Sequence, residues 1–343
     1  MGCKMDRVKL KVSIVVPVYN VSLYIERSVK SVMAQTYPVL ECIIVDDASP
    51  DDSIAKCERL IARYDGPTRY VILHHEQNRG LSAARNTGTV AALGDYVFYL
   101  DSDDEITPDC IEKLAKPIER NASIEMVVGN FQVLSKIPSK GRVSFEEEFT
   151  SSAAVRECFF DKNVLPVVAW NKLMSKKFLM NNGLLFMEGI LCEDILWTFY
   201  VVKCLQRLYV IPVITYNYYK RSSSITTRTD KSEMADHLSI IYEEIARHFT
   251  PGEEAREAKY YLDFYFRLFK KNRRMESFKR ALPLFESVLA SDEYRKERLR
   301  LWVLRHSSKL SFLRWMLAIL LRFRAALLYP LRRLAFFCKK AKL

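Results

Sequence analysis

The chain carries none of the glycine-rich phosphate loops that would identify a nucleotide fold at once. No G-x-G-x-x-G follows its first strand-like run, and no G-x-x-x-x-G-K-[ST] occurs anywhere. These absences argue against a nicotinamide dehydrogenase and against a P-loop hydrolase. Glycine and proline are scarce, 10 and 12 in 343 residues, which excludes collagen-like and linker-dominated chains. The eight cysteines form no C-x-x-C pair, so zinc or redox spacing is missing and buried reduced thiols are expected. Long apolar runs are missing too. The strongest near the C-terminus, residues 315–321, is far short of the ~20 residues a spanning helix needs. The opening MGCKMDRVKLK has no apolar core of the signal-peptide kind. Asp6 stands where a myristoylation pattern wants Ser or Thr.

Acid is missing from one end only. Residues 1–230 hold 28 basic and 28 acidic side chains, whereas 231–343 hold 25 and 13, which accounts for the whole net charge of +12. Residues 298–343 carry 12 basic side chains and no Asp or Glu. A neutral front and a basic tail imply two tasks, so we divide the chain into 1–230 and 231–343. Hydrophobic residues are 49% and charged residues 27%, the balance of a chain with a real core.

What is present is a regular alternation. Runs at 12–18 (VSIVVPV), 41–45 (ECIIV), 70–73 (YVIL) and 96–100 (YVFYL) read as buried strands. Helical spacing fills 22–35, 51–64 and 81–93, with Ser22 as the expected N-cap of the first helix. Nearly continuous apolar strands between helices predict an α/β fold, a mostly parallel Rossmann-like sheet flanked by helices. Residues 125–220 are more mixed, with strands expected at 126–128 and 209–213 and a helix at 193–205. The region after 230 reads as helical and increasingly basic.

In such a sheet, ligands bind beyond the carboxyl ends of the strands. There the chain places PVYN (17–20), DDAS (46–49), HHEQNRG (74–80) and DSDD (101–104). Acidic strand ends suggest that a nucleotide is held through Mg²⁺ or Mn²⁺, since hard cations take oxygen ligands. Asp101 and Asp103, two apart on extended chain, share a face and would reach a ribose hydroxyl and a metal. His74 and His75 read as strand-end residues rather than ligands. Glu193 and Asp194 open an apolar helix, where carboxylates serve either as caps or as a catalytic pair.

Taken in order and spacing, VSIVVPVYN, IIVDDASPDDS, NRGLSAARNTG and YVFYLDSDD resemble the inverting family 2 glycosyltransferases of GT-A fold. The resemblance covers about 11–110 strongly and continues loosely to 230 through AWNKL (169–173), CED (192–194) and YYKRSSSI (218–225). It implies a nucleotide-sugar donor, with Asp47 contacting the uracil edge, Asp101 the ribose and Asp103 the metal. Pro17, Tyr19 and Asn20 would line the same pocket. Arg85 would stand as a cation near the phosphates, or else as an ordinary arginine on a helix surface. Asp194 takes the place of the general base, with Glu193 the neighbour most easily confused with it. Trp170 is either an acceptor-side wall or a core aromatic. Arg221, in a serine-rich stretch, would close over the diphosphate. Processive synthases carry Gln-x-x-Arg-Trp, which this chain lacks, so single sugar addition is implied.

The C-terminal stretch 309–340 has an amphipathic reading. Arg314, Arg322, Arg332, Arg333, Lys339 and Lys340 fall within an arc of about 120° at helical spacing, opposite Phe312, Met316, Ile319, Leu320 and Phe323. Pro330 and Arg324 interrupt the pattern. Such a segment suits either an anionic membrane surface or packing on the catalytic domain. No nucleic-acid module accompanies the charge. The expectation is a cytoplasmic enzyme held at the inner face of the cell membrane. It would move a sugar, from a UDP-sugar by preference, to a glycan or lipid-linked glycan acceptor in surface polysaccharide assembly. The competing readings are a non-catalytic sugar-nucleotide-binding or scaffold protein and a sugar-1-phosphate nucleotidyltransferase. The second needs a glycine-rich loop where this chain has PVYN.

Overall fold

The computed structural model describes residues 9–135, 138–141, 143–160, 165–220 and 232–249, together with 255, 257–263, 282–289, 294, 297 and 298. Arg221 and the stretch 309–340 lie outside the described residues. The chain divides into two compact units, 1–245 and 246–343.

The first unit begins with strands and helices in alternation: β1 (Val12–Val18), α1 (Ile25–Met33), β2 (Glu41–Asp46), α2 (Ser53–Ile61), β3 (Arg69–His74), α3 (Leu81–Ala91) and β4 (Tyr96–Tyr99). It continues through β5 (Glu105–Ile106), α4 (Cys110–Arg120), β6 (Met126–Leu134), β7 (Ser139–Lys140), β8 (Glu147–Phe149) and α5 (Ser152–Phe160). Then come β9 (Lys172–Ser175), α6 (Lys176–Asn181), α7 (Glu193–Cys204), β10 (Leu208–Tyr219) and α8 (Ser232–Arg247). In the second unit, Phe285 of the helix Leu282–Val288 is buried, 5.9 Å from the ring of Phe249.

One ten-stranded mixed sheet organises the first unit, in the order β3-β2-β1-β4-β9-β6-β10-β5, with β7 beside β6 and β8 beside β10. Strands β3, β2, β1 and β4 are mutually parallel, as are β6 and β10. β9 runs antiparallel to both its neighbours, β4 and β6. Every residue of β1 is buried, the burial on both faces expected of a parallel strand covered by helices. Pro17 has no N–H to give, and it sits just past the last β1–β4 ladder bond, Leu100 N–H to Val15 O. α3 lies close against β1: a Cβ on Gly88 would come within 2.3 Å of Val15 Cγ1.

The first helix starts later than its sequence suggests. Its N-cap is Tyr24, with no side-chain capping bond. Ser22 is therefore not the cap. Its N–H bonds Asp51 Oδ2 at 2.8 Å and its hydroxyl bonds Asp52, so a neighbouring loop outcompetes the helix for it.

Candidate active site

Six segments meet at one edge of the sheet, the last being the start of α7. Four of them follow β1, β2, β3 and β4. The fifth is the start of β9. Because β9 is antiparallel to β4, with Leu173 paired to Phe98, its first residues lie where β4 ends. Residues 169–172 thus run alongside Leu100 and Asp101.

Backbone strain concentrates at this edge. Among the described residues, the non-glycine positions with positive φ are Asn20 (53°), Ala48 (55°), Asn171 (60°) and Cys192 (62°). They follow β1, follow β2, precede β9 and precede α7. Left-handed backbone costs roughly 1–2 kcal/mol for a residue with a Cβ, less for Asn. Such residues persist only where surrounding contacts dictate the turn. For Asn171 those contacts are explicit. Its amide donates to Gly129 O at 2.9 Å and Asn130 O at 3.0 Å, and its carbonyl oxygen accepts from Thr215 at 2.6 Å.

Asp47 is fixed by backbone. Its Oδ1 accepts from the Arg79 N–H at 2.8 Å and from His75 Nδ1 at 2.7 Å, while Oδ2 accepts from the Gly80 N–H at 2.8 Å. Gly80 presents that N–H from φ 89°, a conformation that suits glycine. His75 is in turn held by Thr87 at 2.9 Å, so both histidines are strand-end residues, His74 pairing with Asp46. Beside this network the chain after β1 is more open. Pro17 is buried, Tyr19 is 47% exposed, and the Asn20 N–H bonds Ser49.

Arg85 occupies the centre of a second network. It is 1% exposed, so it does not lie on the helix surface. One guanidinium nitrogen bonds Glu193 Oε1 at 2.7 Å and Asp194 Oδ1 at 3.0 Å; another bonds Asp101 Oδ1 at 2.8 Å. Arg85, Asp101, Glu193 and Asp194 are therefore one cluster, assembled from α3, the end of β4 and the start of α7. One cation faces three carboxylates. Burial and the charge of Asp194 push the Glu193 carboxyl up to about 7, against the pull of Arg85. Burial likewise raises Asp194, again opposed by Arg85. Two raised carboxyls thus stand side by side on one guanidinium.

The acidic run after β4 splits in two directions. Asp101 faces Arg85, and the Asp103 backbone carbonyl accepts from Arg27. Asp104 turns inward, wholly buried, accepting from the Tyr216 hydroxyl at 2.9 Å and the Tyr219 N–H at 2.8 Å. Burial, then the charges of Asp103 and Asp101, push its carboxyl up to about 8. Among the described residues no group of three or more His, Cys, Asp or Glu is arranged to hold a metal unaided. The donor set still fits a hard divalent ion, provided further oxygens come from a bound diphosphate.

Trp170 lies in the core, 6% exposed, stacked on Tyr216 at 4.4 Å and Tyr218 at 5.7 Å. Of its two readings the structure gives the core one, and through Tyr216 it backs Asp104 and Asp101. Sequence reasoning did not single out Asp104, Tyr216 or Lys172. The third acid of DSDD was a visible signal for Asp104. For Lys172 the reversal of β9 had first to be known.

Residues 13–180 match the family described as Glycosyl transferase family 2. Glycosyltransferase GlyA of Streptococcus pneumoniae serotype 4 is 32% identical over 54% of this chain and 27% of its own length. The uncharacterized glycosyltransferase EpsJ of Bacillus subtilis is 30% identical over 68% of this chain and 67% of its own. The chain thus spans about a quarter of GlyA and two thirds of EpsJ. Among solved structures, S. aureus TarS 1-349 in complex with UDP-GlcNAc superposes with a TM-score of 0.67 at 21% identity, covering 86% of this chain and 87% of that one. The mannosyltransferase PcManGT from Pyrobaculum calidifontis, in complex with GDP-Man and Mn²⁺, gives 0.54 at 17% identity, covering 93% and 80%. The fold is the GT-A arrangement.

Proposed function

The chain belongs to glycosyl transferase family 2, and on that premise we propose an inverting transferase. It moves a sugar from a nucleotide-diphosphate sugar, most simply a UDP-sugar, to a hydroxyl of a glycan or lipid-linked glycan acceptor in surface polysaccharide assembly. The observation that carries this is the Arg85 cluster, which sets a base-competent carboxylate beside the acidic strand end of a nucleotide pocket.

The donor side is read as follows. The Asp47 carboxylate accepts three hydrogen bonds from the protein, and a carboxylate has about four lone-pair sites. One site remains for a ring N–H such as that of uracil. Pro17, Tyr19 and Asn20 flank that place, and Asp101 bonds the ribose. Asp103 would hold Mg²⁺ or Mn²⁺, which when bound offsets diphosphate charge and eases departure of the nucleoside diphosphate. On the acceptor side, Asp194 takes the hydroxyl proton as oxygen attacks the anomeric carbon opposite the leaving group, while Glu193 keeps Arg85 in place. The donors held by TarS and PcManGT, UDP-GlcNAc and GDP-Man, belong to the same chemical class.

A panel of UDP- and GDP-sugars with Mn²⁺, scored for nucleoside diphosphate release, tests this reading. One sugar nucleotide should be turned over, and chelation should stop it. Asp194→Asn should keep donor binding and lose about 10²–10⁴ of the rate. Binding without turnover would make the chain a binding protein, and a more damaged Glu193→Gln would move the base one residue back.

No helix among the described residues is long and apolar enough to cross a membrane. We place the enzyme peripherally at the inner face of the cell membrane through the basic sequence after 297. Sedimentation with anionic vesicles should fall when the chain is ended at 297, and fall with salt for the full chain. Equal sedimentation of the two would rule the tail out.

A further inference from the structure

The acidic turn after β4 is held by more of the protein than its own strand. The Asp104 N–H closes the turn onto Asp101 O at 3.0 Å. From β10, the Tyr216 hydroxyl accepts from the Asp101 N–H at 3.2 Å and donates to the Asp104 carboxylate at 2.9 Å. The Tyr219 N–H donates to that same carboxylate at 2.8 Å. From α1 comes Arg27. Its guanidinium donates to the Asp103 backbone carbonyl at 2.5 Å, brings Nε 3.0 Å from Glu105 Oε1, and lies over the Tyr219 ring, 3.6 Å from its centre. Tyr219 completes the set by donating its hydroxyl to Glu105 Oε2 at 3.1 Å. Tyr216 and Tyr219 thus grip the turn at Asp101 and Asp104, and Arg27 grips Asp103 itself. The peptide plane that leaves Asp103 is held at both ends, its C=O by Arg27 and its N–H by Asp101 O. Ser102 and Asp104 are buried in this frame, while Asp101 and Asp103 stay half-buried.

We propose that Arg27 is a positioning residue for Asp103, holding the peptide after it so that the carboxylate is aimed before a divalent ion and a diphosphate arrive. This rests on the reading of Asp103 as the metal-holding residue. Charge alone predicts the reverse. A guanidinium bonded to Asp103 repels a divalent cation, and Glu105 beside it offsets part of that repulsion. Removing Arg27 should therefore strengthen metal binding if the arginine acts as a charge. It should weaken metal binding, by about 10–100-fold, if the arginine fixes the direction of the ligand. The two accounts differ in sign.

The test is calorimetric binding of UDP to the full chain with and without Mn²⁺, with GDP in its place if the wild type prefers it. Wild-type affinity should rise with Mn²⁺; no rise would remove the metal reading and this role with it. In Arg27→Met the metal-free affinity should stay as in the wild type, and the gain from Mn²⁺ should shrink by about 10-fold or more. An unchanged or larger gain overturns the proposal. So does an equal loss with and without metal, which is what a merely structural arginine would give. Should Arg27→Met not fold, Arg27→Lys is read in the same way. It keeps the charge but lacks the planar fork that spans Asp103 O and Glu105 together. A reduced Mn²⁺ gain there supports the role, and a full one removes it. Asp103→Asn separates the two readings. A wild-type gain in that variant defeats Asp103 as the metal-holding residue. A lost gain there, with a full gain in Arg27→Met, defeats only the positioning role. In the double variant, Arg27→Met should cost nothing beyond Asp103→Asn, because it acts through that carboxylate, and a further loss overturns the proposal.

Discussion

Two carboxylate networks face each other across α3, and they are built on opposite principles. Asp47 takes its partners from backbone N–H groups and a locked histidine, so its surroundings hardly change while the strands hold. Asp101, Glu193 and Asp194 share one side-chain cation. Burial raises both Glu193 and Asp194 while Arg85 pulls both down, so a change at one is felt by the other. The base-reading role proposed for Asp47 would benefit from fixed geometry. The proton-taking role proposed for Asp194 would benefit from a charge balance that can move.

Arg85→Met cuts the shared cation and should have the largest effect. Breaking a buried ion pair by removing one partner costs about 3–5 kcal/mol, here with three carboxylates left facing one another. Asp47→Asn is the matching cut on the backbone-wired side. It turns one acceptor into a donor against N–H groups and should cost about 1–3 kcal/mol. Denaturant unfolding of both variants measures the gap. Equal losses would erase the distinction between the networks.

A smaller effect sharpens the comparison through pH. Asp104 is raised to about 8 in the fold, above the ~4 of a free carboxyl. Between those values the folded chain holds a proton that the unfolded chain has released. Stability from this group is full below about pH 4 and is lost as pH rises through 8. The metal-free protein should therefore lose several °C of Tm between pH 5 and 8.5, and Asp104→Asn should flatten that slope. An unchanged slope in the variant would assign the effect to Glu193, raised to about 7 with the same sign.

The strand-end residues were legible because their signals are local. In β1, β2 and β4 a buried apolar run ends directly in the polar residues that matter, so strand and site are read together. The partners of Arg85 beyond Asp101 were legible only at Glu193-Asp194, where two acids open an apolar helix. Trp170 and Lys172 were harder, because their meaning comes from β9 reversing direction between two strands far apart in the chain. No local period announces that reversal. Ser22 failed for a related reason: it has the chemistry of a cap, but Asp51, Asp52 and Lys56, thirty residues on, claim its polar groups first.

β9 has a further consequence. It is hydrogen-bonded on both sides, to β4 and to β6, so it cannot slide without breaking two ladders together. A slip of one residue would also turn its side chains to the opposite face, and the next permitted setting lies two residues, roughly 7 Å, away. The setting of β9 against the end of β4 is thus quantised. It behaves as a ratchet with coarse teeth rather than a spring. Any adjustment around the Arg85 cluster must then come from elsewhere than β9, since the strand itself offers no intermediate setting.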